Sequence, residues 1–262
     1  MNHATRSDRV VDITNVSVAF NGRTAVENLS LSIARGERVA VLGRTGAGKS
    51  TLMNLLVGNQ QATRGEVRVS GVDPYTQHKL LQGHIGMAFQ APRLLPWRTA
   101  LGNVMVGLEI LGNSPDKRRV TAEKWLRQVH LGHAGHLYPS QLSGGMRQRV
   151  SLARAFAIEP DLMLLDESFS ALDEVTADAL RAEFLQLCRS SRMTALIVTH
   201  NIEEAFLLAE RVIVLGRPAR ILREFQTDQC PKPGTGEFLE FRHSLHALIG
   251  SDTAAATATP TH

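Results

Sequence analysis

Gly43-Arg44-Thr45-Gly46-Ala47-Gly48-Lys49-Ser50-Thr51 fits the pattern G-x-x-x-x-G-K-[ST], a loop type that cradles phosphate. The apolar run Val39-Ala40-Val41-Leu42 precedes it, and a run with helical character, Thr51 to Val57, follows it. That strand–loop–helix order is the context in which the pattern carries meaning. Glycines let the backbone turn tightly and bring its N–H groups close to phosphate oxygens. A helix starting near Lys49 points its positive end at the same anion. Lys49 adds a point charge for the β- and γ-phosphates, and Ser50 supplies a hydroxyl for Mg²⁺. The alternative is a Gly-rich turn with an accidental Lys-Ser, and the flanking strand and helix speak against it. The chain is therefore expected to bind a nucleoside triphosphate. What it does with one depends on the rest of the sequence.

Working outward, the strand–helix rhythm extends in both directions. Val10 to Phe20 and Leu29 to Ile33 read as strands, with Asn21-Gly22 as a turn signal between them. Gly65 to Val69 and His84 to Phe89 read as further short strands. From about residue 96 to residue 154 the pattern turns helical, with Leu101, Val104, Leu108 and Leu111 spaced for one face, which suggests an inserted helical lobe. After it, β–α alternation returns. Leu162 to Leu165, Ala195 to Val198 and Val212 to Leu215 read as strands; Val175 to Arg189, Ile202 to Ala209 and Gly236 to Ile249 read as helices. Alternation of this kind predicts an α/β fold with a mostly parallel sheet covered on both faces. The expected organisation is one P-loop NTPase domain over residues 10–250, with an N-terminal antiparallel β subdomain and the helical lobe. Ser251 to His262 is Ala/Thr-rich and is expected to be a disordered tail.

Composition narrows the class. The chain has 262 residues and a formal net charge of +4, from 29 Lys and Arg against 25 Asp and Glu. That bias is too mild to imply nucleic acid as a partner, and Lys117-Arg118-Arg119, the densest basic run, reads as a solvated face. The start, Met1 to Arg9, is polar without the apolar segment of a secretory signal. No stretch approaches the roughly 18 apolar residues of a membrane span. Cys188 and Cys230 are isolated and lack metal-ligand spacing, which fits a reducing compartment.

Two later segments carry chemistry. Leu162-Met163-Leu164-Leu165-Asp166-Glu167 is an apolar run ending in two carboxylates. At the carboxyl end of a parallel strand such groups face the ligand crevice. Asp166 is expected to hold Mg²⁺, and Glu167 to polarise an attacking water. Leu142-Ser143-Gly144-Gly145-Met146 precedes a strongly helical run, Arg147 to Ile158. Ser143, Gly144 and Gly145 would form a second anion site from a hydroxyl, backbone N–H groups and a helix dipole; a plain Ser cap is the simpler alternative. One ATP needs only one such site per chain. Two chains facing each other need both, if each contributes one to each nucleotide.

With these segments in view, the sequence resembles the ATP-binding subunits of ABC transporters, over about residues 10–222. Leu142 to Met146 resembles the family's LSGGQ signature, and the other motifs fall in the family's order. Gln90 matches the Q-loop glutamine, a ligand of Mg²⁺ or of the attacking water. Ser170-Ala171-Leu172-Asp173 matches the D-loop, and His200 the switch histidine that contacts the γ-phosphate. Phe20 matches the aromatic that stacks on adenine; a strand-end core residue is its alternative reading. Asn201 and Glu204 form a candidate capping box behind His200. Two departures stand out. Met146 replaces the usual glutamine, and Ser168 replaces a common proline, which suggests a looser loop around Glu167.

Leu94-Leu95-Pro96-Trp97 and the string Leu-Ser-Gly-Gly-Met-Arg-Gln-Arg-Val look like the nitrate/sulfonate/taurine import branch, as does Gly216-Arg217-Pro218-Ala219-Arg220-Ile221. The resemblance implies ATP hydrolysis with Mg²⁺, driving import of a small, anionic solute. It implies a homodimer of this subunit on the cytoplasmic face of the plasma membrane, integral-membrane permease subunits, and an extracytoplasmic solute-binding protein as an indirect partner. An exposed Leu94-Leu95-Pro96-Trp97 would suit a partner surface; a buried turn is the alternative. Other functions consistent with the P-loop alone are a soluble ABC-type ATPase uncoupled from transport and a small-molecule kinase. Ser143-Gly144-Gly145 and Asp173 argue against a kinase, which needs no phosphate site in trans.

Overall fold

The computed structural model describes residues 8–257, Ala171 apart. Its elements, in chain order, are β1 (Arg9–Phe20), β2 (Arg23–Ala34), β3 (Arg38–Leu42), α1 (Lys49–Leu56), β4 (Arg64–Val69), β5 (Ile85–Phe89), α2 (Ala100–Ile110), α3 (Pro115–Gln128), α4 (Gly144–Ala157), β6 (Leu162–Asp166), α5 (Glu174–Ser191), β7 (Thr194–Thr199), α6 (Ile202–Leu208), β8 (Arg211–Leu215), β9 (Ile221–Gln226) and α7 (Gly236–Thr257). They form two compact units. Among the described residues, one comprises residues 8–81 with residues 194–257, and the other Gln82–Met193.

In the first unit, β2, β1 and β4 form an antiparallel sheet in that order. The β1–β2 turn has Asn21 at φ 48° and Gly22 at φ 79°. Two successive left-handed residues match the twist of a tight hairpin, and Asn-Gly is the pair that adopts them most cheaply. The second sheet region of this unit is parallel. β3 lies between β7 and β8, parallel to both, and β9 closes the edge antiparallel to β8. Val39, Ala40, Val41 and Leu42 are fully buried. Covering both faces of a parallel strand explains why β3 is an unbroken apolar run. α7 is held by an aromatic cluster: Phe241 meets Phe206 edge-on at 5.2 Å and Phe225 at 5.5 Å, and Phe238 meets Phe206 at 5.7 Å.

In the second unit, β5 and β6 pair in parallel, with Ile85 opposite Leu162 and Phe89 opposite Asp166. α3 packs on α4 through Trp125, which stacks on Phe156 at 5.1 Å with planes 13° apart. Starts are capped as their sequences dictate. Thr99 accepts from the Gly102 N–H ahead of α2, and Ser114 accepts from the Lys117 N–H ahead of α3, with Pro115 in the first turn. Fully buried Asn103 pins the loop before α2. Its Oδ1 accepts from the Leu95 N–H at 2.7 Å, and its Nδ2 donates to the carbonyls of Leu95, Arg98 and Thr99.

The α/β class, the antiparallel N-terminal subdomain and the helical lobe agree with the sequence. The second unit is wider than the expected lobe, since it also contains β5, β6 and α5. Two features differ from expectation. β9 was not anticipated. And α7 continues to Thr257, into the stretch expected to be a disordered tail, where Asp252 is tied to residues 217 and 220; residues 258–262 lie outside the described part. Among the described residues no helix is long and apolar enough to cross a membrane.

Candidate nucleotide site

The P-loop leaves the carboxyl end of β3, where Leu42 lies opposite Thr199 of β7 and Val214 of β8. Gly46 and Gly48 both have φ 82°. A Cβ at Gly48 would stand 2.7 Å from the Ala25 carbonyl oxygen and 2.7 Å from the Ala219 Cβ, so both conformation and space demand glycine there. Gly48 is also the N-cap of α1, which carries no side-chain cap. The opening N–H groups of α1 therefore face the loop without a competing side-chain acceptor. Lys49 is buried, and its Nζ donates to the carbonyls of Gly43 at 2.5 Å and Arg44 at 3.1 Å. Those bonds fold the ammonium over the loop that a phosphate would enter.

His200 follows Thr199 at the end of β7, beside the strand that feeds the P-loop. Asn201 caps α6, accepting from the Glu204 N–H at 3.1 Å. The Asn201 N–H itself donates to Thr199 Oγ1 at 3.1 Å. Phe20 is 45% exposed at the end of β1, which removes the core reading.

The second unit assembles the other group. Because Phe89 lies opposite Asp166, Gln90 and Glu167 leave adjacent strand ends together. Glu167 has φ 47°, an uncommon conformation for a residue with a side chain. Around it runs a hydrogen-bond chain. Gln90 Nε2 donates to Ser170 Oγ at 3.2 Å, and Ser170 Oγ donates to the Glu167 carbonyl at 2.8 Å. Ser168 is buried and its hydroxyl donates to the Ala88 carbonyl at 2.9 Å. The expectation that serine loosens this loop is thus reversed: it makes a tie to β5 that proline could not donate.

Ser143 caps α4, accepting from the Met146 N–H at 3.2 Å. A Cβ at Gly145 would fall 2.7 Å from Thr176 Cγ2, so glycine allows α4 to start against the first turn of α5. Asp173 caps α5 through the Thr176 N–H at 3.0 Å, and this hydrogen bonding to Thr176 holds its carboxyl below the usual value. Two residues of α4 missed by sequence reasoning grip the Q-loop. Buried Gln148 donates to the Phe89 carbonyl at 3.0 Å, and Arg154 donates to the carbonyls of Pro92 and Arg93 at 2.9 Å each. Burial lowers the Arg154 pKa from its ordinary value.

The ABC transporter family profile matches residues 26–170. The aliphatic sulfonates import ATP-binding protein SsuB 1 of Streptomyces avermitilis is 39% identical over 257 residues, covering 97% of this chain and 92% of the relative. The chain belongs to the ABC transporter ATP-binding family. The taurine import ATP-binding protein TauB of Yersinia pestis is 40% identical over 229 residues, covering 87% of this chain and 88% of TauB. Among solved structures, a dimeric ATP-binding cassette in a post-hydrolysis state, bound to ADP and Pi, superposes with a TM-score of 0.74 at 32% identity, covering 83% of this chain and 98% of that one. This ABC chain is accordingly an ATPase, and its mixed and antiparallel sheets are those of a P-loop NTPase.

Proposed function

We propose that this ABC ATPase powers import of a small anionic solute, of the sulfonate or taurine type, through a separate membrane permease. The relatives named for aliphatic sulfonate and taurine import, aligned over most of the chain, support the solute class. Two copies close on two ATP molecules. Each ATP is held by one chain's residues 43–51, with Phe20 on the adenine, and by Ser143, Gly144, Gly145 and Asp173 of the other. The dimeric solved cassettes support the pairing. Trp97 is 70% exposed on a loop pinned by Asn103, which suits a face that meets the permease. The assembly sits at the cytoplasmic face of the plasma membrane, with an extracytoplasmic solute-binding protein delivering cargo.

Catalysis is positioning plus charge stabilisation. Lys49 and the amides of α1 neutralise the β- and γ-phosphates. Ser50, Asp166 and Gln90 offer hard oxygen donors, the chemistry that suits Mg²⁺, which when bound would offset charge on the transferring phosphoryl group. Glu167 accepts the proton of the attacking water, and His200 donates to the γ-phosphate. The observation that carries this reading is Glu167 at the carboxyl end of β6, held in a left-handed conformation and tied through Ser170 to Gln90.

In the purified chain, Glu167→Gln is expected to lower turnover on the order of 10²–10⁴-fold while ATP binding stays intact. Undiminished turnover would refute the general-base role. For the cargo, the complex captured from detergent-extracted membranes would be reconstituted in liposomes. ATP-dependent uptake of labelled taurine or an alkanesulfonate supports the import reading; a chain recovered without a multi-span permease overturns it.

A further inference from the structure

The loop at residues 216–220, between β8 and β9, forms a second wall of the P-loop. A Cβ at Gly43 would stand 3.3 Å from the Leu215 carbonyl oxygen, and one at Gly48 would stand 2.7 Å from Ala219 Cβ. The loop is stitched to β2: the Ala219 N–H donates to the Ala25 carbonyl at 2.9 Å, and the Ala219 carbonyl accepts from the Glu27 N–H at 2.9 Å. From this wall the exposed Arg217 side chain reaches the left-handed corner of the P-loop. Its Cζ lies 3.6 Å, and its Nη1 3.7 Å, from the position a Gly46 Cβ would occupy. A guanidinium there sets a planar fork of donors, matched to phosphate oxygens, at the loop that leads into Lys49.

What holds this wall comes from the far end of α7. Asp252 Oδ2 accepts from the Arg217 N–H at 2.6 Å, and Oδ1 accepts from Arg220 Nη2 at 2.5 Å. The Asp252 side chain is only 8% exposed. Gly216 makes room for it, since a Cβ there would fall 2.7 Å from Asp252 Oδ2. Asp252 thus fixes the Arg217 backbone while the Arg217 side chain faces Gly46.

We propose that Arg217 is a phosphate-contacting residue of the ATP site and that Asp252 is a positioning residue acting through it. This rests on the P-loop being the nucleotide site. The test uses the full-length purified chain, with a fluorescent ATP analogue for binding and steady-state ATPase for kinetics. Arg217→Ala raises the KM for MgATP and the analogue's Kd about tenfold, with a smaller change in kcat, and Arg217→Lys restores part of the loss. Asp252→Asn raises KM about threefold, yet adds nothing in the Arg217→Ala background, because the two act as one unit. Parent-like KM and Kd in Arg217→Ala, with binding lost in Lys49→Ala, would overturn the Arg217 contact while the P-loop reading stands. Parent-like binding in Lys49→Ala would overturn the P-loop reading itself. An Asp252→Asn effect that persists undiminished in the Arg217→Ala background would reduce Asp252 to a purely structural role.

Discussion

Two helices of this chain open on glycine-rich turns, and they open differently. α1 begins at Gly48, left-handed and without a side-chain cap. α4 begins at Ser143, whose hydroxyl already accepts the Met146 N–H. A helix start needs acceptors for its first N–H groups. At α1 no side chain caps those groups, which suits an approaching anion; at α4 Ser143 meets part of the need. The difference suits their proposed tasks. The half proposed to hold the nucleotide's phosphates within its own chain is built around the anion. The half that visits a partner's nucleotide must be stable before and after the visit.

The comparison breaks most severely at Gly48. Gly48→Ala puts a Cβ into a left-handed position and within contact of Ala25 and Ala219. The strain is expected to cost about 1–3 kcal/mol and to abolish ATP binding, because the loop amides move. Denaturant unfolding alongside nucleotide titration checks both. An Ala variant that binds ATP normally would mean that the close approach at Gly48 is dispensable.

Ser143→Ala sharpens the contrast. Loss of the α4 cap is expected to cost about 1 kcal/mol, while nucleotide binding to the isolated chain stays near its parent value. ATPase activity in the dimer falls, because the hydroxyl offered in trans is gone. Equal losses of binding and turnover would show that α4 is not a visiting half.

The same contrast explains what was legible in the sequence. The P-loop, the carboxylates ending β6 and the Ser-Gly-Gly turn are local: their spacing along the chain is their geometry. β3, β6 and β8 were legible because a strand buried on both faces is apolar throughout. What escaped depends on distant partners. Ser168 looks like a loosening substitution until Ala88, 80 residues away, appears as its acceptor. Gln148 reads as one more polar helix residue until the Phe89 carbonyl is found beside it. β9 alternates weakly, with only partly buried or exposed positions, because it is an edge strand. The end of α7 has the composition of a tail, yet Asp252 ties it to a loop 35 residues earlier in the chain.

The smallest expected effect concerns Asp173, on the helix that Gly145 approaches. Hydrogen bonding to Thr176 lowers its pKa below the ordinary 3.8. A group whose folded-state pKa lies below its unfolded value contributes stability that is fully present above the unfolded value. That contribution is lost as pH falls through the folded one. The Asp173 contribution is therefore complete at neutral pH and fades only below 3.8. Asp173 is fully exposed, so solvent screens the interaction and the effect is small. Asn keeps the acceptor of the cap and removes the titration. Unfolding midpoints of Asp173→Asn and the parent, measured between pH 7 and about pH 3, should run parallel until the acid end. There the parent should lose its small advantage and the variant should not. A gap that opens instead near neutral pH would mean that Asp173 answers to a charge other than its own cap.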